Sequence, residues 1–348
     1  MHLNNVGSLW LRRYAVLVAF CTFGLVIAGG LVTSNDAALS VPDWPLSWGH
    51  LVPTLEGGIR YEFAHRVTAM LVGLLTVGLA VAMHRQESLP NPAKPEPNRK
   101  TASPQRRRDR RESAEKTEQG RLAGAECHAG SYGRGADHRP EKQPGGACMA
   151  TKLAWAAVAV VVAQAALGGI AVRFLTPAWA TIAHASLGQL FFAIVVAICV
   201  KLYAGFTENW AAHIPSVICT VALFTQTVLG AGVRYGVVAP VAHIVGAVLA
   251  TALVMWAGLS ILMRHMDNAT LRRASMLLLS LTFSQVFLGI GALMARVAYV
   301  EAPQPMPVMV LFTVAHVAVG SLALGAAVAL AMLARPDAFR VQGGMVTA

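Results

Sequence analysis

Charge is what this sequence has least of. Only 13% of its 348 residues are charged, while 55% are hydrophobic; an ordinary soluble domain carries roughly 25% charge. A mean hydropathy of +0.55 excludes a water-soluble globular chain. Cysteine is scarce as well, with five residues and no CxxC spacing. Cys21, Cys199 and Cys219 fall in or beside apolar segments, and Cys127 and Cys148 in a polar stretch, so neither a disulfide framework nor a zinc site is expected. Acids are nearly missing from the apolar runs: Glu62 alone falls inside a predicted helix. The net charge of +11 does not signal nucleic acid, because residues 85–152 hold 15 of the 28 Lys and Arg and 9 of the 17 Asp and Glu. A solvated, disordered stretch explains that concentration.

What the sequence has in abundance is apolar runs of about 20 residues, the length that crosses roughly 30 Å of hydrocarbon. Backbone groups inside lipid must pair within their own segment, which makes each run a helix. The pattern predicts helices at about 14–33, 62–83, 153–172, 180–200, 214–233, 238–262, 272–295 and 308–333. Arg12 and Arg13 precede a long apolar run without a small-residue cleavage site, so the first run is read as a retained helix. One set of flanks holds Arg12, Arg13, Arg85, Lys201, Arg264, Arg272, Arg273, Arg335 and Arg340; the other holds Arg60, Arg173, Arg234 and Arg296. By the positive-inside rule both termini are cytoplasmic, and the 34–61 connection lies outside.

The chain also repeats itself. QAALGGIAVRF begins at Gln164, QTVLGAGVRYG at Gln226 and QVFLGIGALMAR at Gln285, with a degenerate FGLVIAGGLVTS in the first helix. Each copy precedes a helix with a histidine in its opening turns: His65, His184, His243 and His316. The unit is a helix pair occurring four times. The predicted architecture is therefore all-α, eight transmembrane helices in two pseudo-symmetric four-helix bundles. The first half comprises 1–85 and 151–205, the second 206–348, with 86–150 a disordered cytoplasmic insertion.

Ionisable residues inside a membrane are costly and mark function. One such histidine serves interhelical hydrogen bonding as readily as ligation; four at matching repeat positions are harder to assign to packing. Imidazoles from facing helices can clamp a haem iron from both sides, so four histidines suggest two haem sites. Gly188, Gly246 and Gly320, just after three of the histidines, suit helix packing and also leave room for a flat macrocycle. Glu62 stands three residues before His65 on one helical face; it orients the ring or relays protons, or simply pairs with Arg66. Arg173, Arg234 and Arg296 end odd helices on the outer side, where they can bind haem propionates or snorkel to the interface. In VPDWPLSWGHLVP, Trp44 and Trp48 suit the interface or cap an apolar ligand, and Asp43 holds a turn.

These residues resemble the haem A synthase family. The resemblance rests on GGLVTS (29–34), VPDWPLSWG (41–49), YEFAHR (61–66), the LGGIAVRF and LGAGVRYG copies and the four histidines, and it covers nearly the whole chain outside 86–150. It implies an oxidoreductase that converts a ring methyl of haem O to a formyl group, giving haem A for terminal oxidases. It further implies that His65 and His184 flank haem O, that His243 and His316 ligate haem b, and that Glu62 is the functional glutamate of an E-x-x-H motif. Haem O and haem A are then the substrate and product. A haem O-producing farnesyltransferase and an electron donor are implied partners, and dioxygen or water is the oxygen source. The chain lacks, in 34–61, the cysteine pair that some family members carry there, and its 86–150 stretch is longer than the resemblance leads one to expect. The residues alone leave open a dihaem b-type electron-transfer protein, a haem exporter or chaperone, and a transporter.

Overall fold

The computed structural model describes residues 3–41, 43–44, 46–47, 49–50, 52–88, 146–203 and 210–334. Trp48, Cys127, Arg335, Arg340, the boundary at 205–206 and most of 86–150 lie outside the described residues. Among those described there are eight α-helices: α1 Leu3–Ser34, α2 Ile59–Ser88, α3 Gly146–Arg173, α4 Ala178–Tyr203, α5 Trp210–Arg234, α6 Pro240–Arg264, α7 Ala269–Ala298 and α8 Pro307–Leu333. All eight are long and apolar enough to cross a membrane, and the protein is a multi-pass membrane protein.

Each predicted helix is found, and most are longer than the apolar run that announced them. The membrane-length part of α1 is Leu9–Ser34, yet the helix begins at Leu3. Hydrogen bonding along the axis does not stop where lipid stops, so polar residues continue a helix into water. For the same reason α2 reaches Ser88 and α3 starts at Gly146, both inside the stretch read as insertion. Termini follow local chemistry: Asn268 caps α7 by accepting from Thr270 N and Leu271 N, both at 3.1 Å, and Pro240 and Pro307 open α6 and α8.

The crossings alternate. Arg12 in α1 lies 5.7 Å from the ring centroid of Tyr203 at the end of α4. His213 Nδ1 in α5 lies 2.9 Å from the Ala331 carbonyl near the end of α8. On the other side, Arg234 at the end of α5 donates to the Thr33 carbonyl and pairs with Asp36 just past α1, at 3.3 Å.

Two apolar cores form. One joins α1 to α4 through Leu11, Val18, Val72, Leu79, Ala154 and Ile198; the other joins α5 to α8 through Cys219, Val254, Leu271, Leu278 and Leu330. Helices α4 and α8 are central: each packs on the other and on both α1 and α5. Phe20, Leu74, Val248 and Phe283 are exposed, as side chains facing lipid should be. Buried hydroxyls bond back to their own helix, as Thr22, Thr76 and Thr282 do to carbonyls four residues earlier.

Candidate functional site

The four histidines come together in two pairs, one within each core group. His65 of α2 faces His184 of α4 with ring centroids 6.3 Å apart and planes at 72°. His243 of α6 faces His316 of α8 at 6.3 Å and 84°. The equal spacing follows from the repeat, because each histidine is seated against a glycine of the preceding odd helix. A Cβ at Gly29 would meet His65 Cε1 at 3.2 Å, at Gly168 His184 Cε1 at 3.5 Å, at Gly230 His243 Cε1 at 3.2 Å, and at Gly289 His316 Cε1 at 2.9 Å. In all four rings Nδ1 is buried without a hydrogen-bond partner.

This spacing fits one iron per pair. An imidazole nitrogen binds a first-row metal at about 2.0–2.1 Å and stands roughly 1.1 Å from its ring centroid, so two nitrogens sharing one ion place the centroids about 6 Å apart. No group of three or more His, Cys, Asp or Glu side chains able to hold a metal is assembled among the described residues. Two imidazoles at this spacing, with no further protein ligand beside them among the described residues, suit an ion whose remaining ligands belong to a macrocycle.

Glu62 is buried, and both of its oxygens are engaged: Oε1 pairs with Arg66 Nη2 at 2.6 Å, and Oε2 accepts from Val41 N at 2.9 Å. Since His65 Nδ1 has no partner, the carboxylate does not orient the ring through that nitrogen. The pairing with Arg66 weighed from the sequence is the one found. Arg66 is itself a hub, donating to the carbonyls of Asp43 (2.8 Å), Leu46 (3.0 Å) and Val41 (3.1 Å). The connection between α1 and α2 is thus tied to α2 one residue beyond His65. Asp43 holds the expected turn by accepting from Gly49 N at 2.8 Å. Trp44 lies over Gly169, whose Cβ would meet the indole at 3.4 Å, one residue from the seat of His184.

Arg173 and Arg296 are exposed at the ends of α3 and α7. Arg234, also exposed, bridges to Asp36 and Thr33. The glycines after the histidines are filled, not open. The side-chain nitrogens of Gln164 and Gln285 would stand 2.9 and 2.8 Å from a Cβ at Gly188 and Gly320, and Gln226 crowds Gly246 in the same way. These glutamines, which open the three repeat copies, received no role from the sequence. The available signal was their constant placement four residues before the glycine that seats the ring.

No family model matches the chain. Curated relatives match over part of it. Heme A synthase from Exiguobacterium sibiricum is 36% identical over 75 residues, 20% of this chain and 25% of the relative. The heme A synthase of a second Exiguobacterium strain gives the same figures, and that of Hyphomonas neptunium is 26% identical over 80 residues, 23% of each chain. The chain spans about a quarter of the length of the curated relatives it matches. These similarities agree with the resemblance carried by the motifs.

Proposed function

We propose that the protein is a heme A synthase, an oxidoreductase that converts a ring methyl of haem O to a formyl group in the membrane. The observation that carries the reading is the pair of opposed histidines in each half, both at 6.3 Å. In this reading His65 and His184 hold the substrate haem O, and His243 and His316 hold a resident haem b. Support for assigning substrate to the first half is that it alone carries the long outer connection with Trp44 against α3; α5 and α6 are joined by residues 235–239 only.

A bound haem supplies the oxidising power that no side chain has. The chain supplies placement. The glycine seats fix each ring against an odd helix, and Trp44 packs over Gly169, one residue from the seat of His184. Glu62 acts through Arg66, keeping the connection closed over that pair, which makes it a positioning residue. Arg173 and Arg234 stand at the outer ends of α3 and α5, where haem carboxylates would bind cationic partners; Arg234 would exchange Asp36 for them. Both termini lie in the cytoplasm on the charge bias.

A dihaem electron carrier would also use two equal histidine pairs, so the test must separate the two. Express the full chain with a source of haem O, purify it in detergent, and identify the extracted haems. Haem b with haem A or hydroxylated haem O is expected, and His243→Ala or His316→Ala should lose haem b while keeping the first-half haem. Haem b alone, with haem O unchanged in air, would establish the electron carrier instead.

A further inference from the structure

The second half carries a cleft at the end of the bundle away from its histidines. Helices α5 and α6 pack on each other. Where α5 begins and α6 ends they leave a space of about 270 Å³, open mouth included, lined by Ala211, Pro215, Trp256, Ser260, Arg264 and His265. The sequence explains its walls. Pro215 lies inside α5 and has no N–H, so the Ala211 carbonyl four residues earlier lacks its helical donor. On α6, Trp256, Ser260 and Arg264 recur every fourth residue and so share one face.

The cleft is graded along its length. Arg264 is the last residue of α6 and of its membrane-length segment, so the mouth lies where hydrocarbon gives way to water. The exposed Arg264, the half-buried His265 and the Ala211 carbonyl gather there. Arg272 of the same turn is committed to the Met266 carbonyl at 2.9 Å, whereas the Arg264 guanidinium has no partner among the described residues. Trp256 stands two turns deeper along α6, about 12 Å from Arg264. It is exposed, and with Pro215 it makes the inner walls apolar. A small soluble anion has no use for those walls, and an acyl chain alone has no use for the cation.

We propose that this cleft binds one phospholipid whose headgroup joins a phosphodiester to a hydrogen-bond donor. The phosphate sits on Arg264, the donor meets the Ala211 carbonyl, and the start of an acyl chain runs along Trp256. A guanidinium binds phosphate oxygens through paired N–H donors. The carbonyl accepts from a hydroxyl or an ammonium, whereas a quaternary ammonium has no hydrogen to give it. The Ser260 hydroxyl, one turn inside Arg264, faces the ester oxygens. Basic pockets between helices at the membrane surface hold lipid headgroups in this way. The site is independent of what the histidines bind.

The test uses the purified full chain in detergent, mixed with equal amounts of phosphatidylglycerol and phosphatidylcholine of the same acyl chains, with the retained lipid identified by native mass spectrometry. The wild type should keep one phosphatidylglycerol per chain in preference to phosphatidylcholine. Arg264→Ala should weaken that retention about tenfold, the effect of one hydrogen bond to a charged group. Arg273→Ala removes the same charge from the exposed start of α7, outside the cleft, and should leave retention unchanged. Pro215→Ala should fold, since alanine suits a helix interior better than proline. By returning a donor to the Ala211 carbonyl it should narrow the preference for phosphatidylglycerol. Equal retention of the two lipids by the wild type, or equal loss in Arg264→Ala and Arg273→Ala, would overturn the site. Displacement of the lipid by inorganic phosphate would assign the cleft to a free anion and overturn the lipid reading.

Discussion

At the scale of single residues, the glycines that seat the rings make a graded set. The distance from an added Cβ to the imidazole falls from 3.5 Å at Gly168 to 3.2 Å at Gly29 and Gly230 and 2.9 Å at Gly289. Alanine in a helix interior is favoured over glycine by roughly 0.5–1 kcal/mol, whereas overpacking costs about 1–3 kcal/mol. Gly168→Ala should therefore leave haem content and thermal midpoint level or slightly raised. Gly289→Ala should displace His316 and lose haem from the second pair, with Gly29→Ala and Gly230→Ala between. Haem per chain and Tm across the four variants check this; loss at Gly168 with tolerance at Gly289 would contradict the seating. The histidines themselves were legible in the sequence, because a titratable group is costly in an apolar segment and here recurs at one place in every repeat. Their glycine seats and glutamine slots were not: spacing showed that QAALGG, QTVLGA and QVFLGI share a form, but not that their glycines meet the rings of the following helix. Glu62 stood out as an acid inside a membrane helix, and its pairing with Arg66 was one of the readings the sequence offered; the fork of Arg66, which reaches three loop carbonyls 20–25 residues earlier in the chain, was not legible.

At the scale of elements, the α1–α2 connection and α2 act as one piece, and the two charges that join them are not equivalent. Arg66→Ala deletes three donations to loop carbonyls and leaves the buried Glu62 carboxylate with only Val41 N; uncovering a buried charge costs about 3–5 kcal/mol. Glu62→Ala deletes the ion pair and the acceptor of Val41 N but leaves Arg66 its three carbonyls, an effect of about 2–3 kcal/mol. The expected order is a larger fall in Tm and faster protease cutting within 41–56 for Arg66→Ala than for Glu62→Ala. Equal effects would mean that the pair, and not the carbonyl contacts, holds the connection. All eight helices were readable from hydropathy, since lipid imposes helix on any long apolar run. Their ends were not, since nothing apolar marks where α1 begins at Leu3 or α2 ends at Ser88. The fold of the 34–58 connection was equally hidden, because it depends on contacts with α2 and α3 that neighbouring residues do not encode.

At the scale of the whole molecule, the repeat suggests a grouping into α1–α4 and α5–α8, and each of the two apolar cores draws its buried residues from one of those groups. What the repeat could not show is that α4 and α8 pack on each other and on α1 and α5, so that one histidine of each pair rides on a central helix and the other on a peripheral one. Both candidate sites belong to the compact unit formed by residues 1–87 and 145–348, and the residues of both cores all fall within it. If that unit is self-sufficient, a flexible polar linker of about 15 residues, reaching roughly 20 Å, should replace 89–145 without loss of either haem. Shortening the loop lowers its closure entropy, which by itself favours the folded state by about 1 kcal/mol. The expected result is wild-type haem content with a Tm unchanged or a few degrees higher, measured by absorbance and thermal melting in detergent. Loss of haem from the first pair alone would show that the stretch contributes to the half proposed to hold substrate, and would extend the site beyond the helices that hold its histidines.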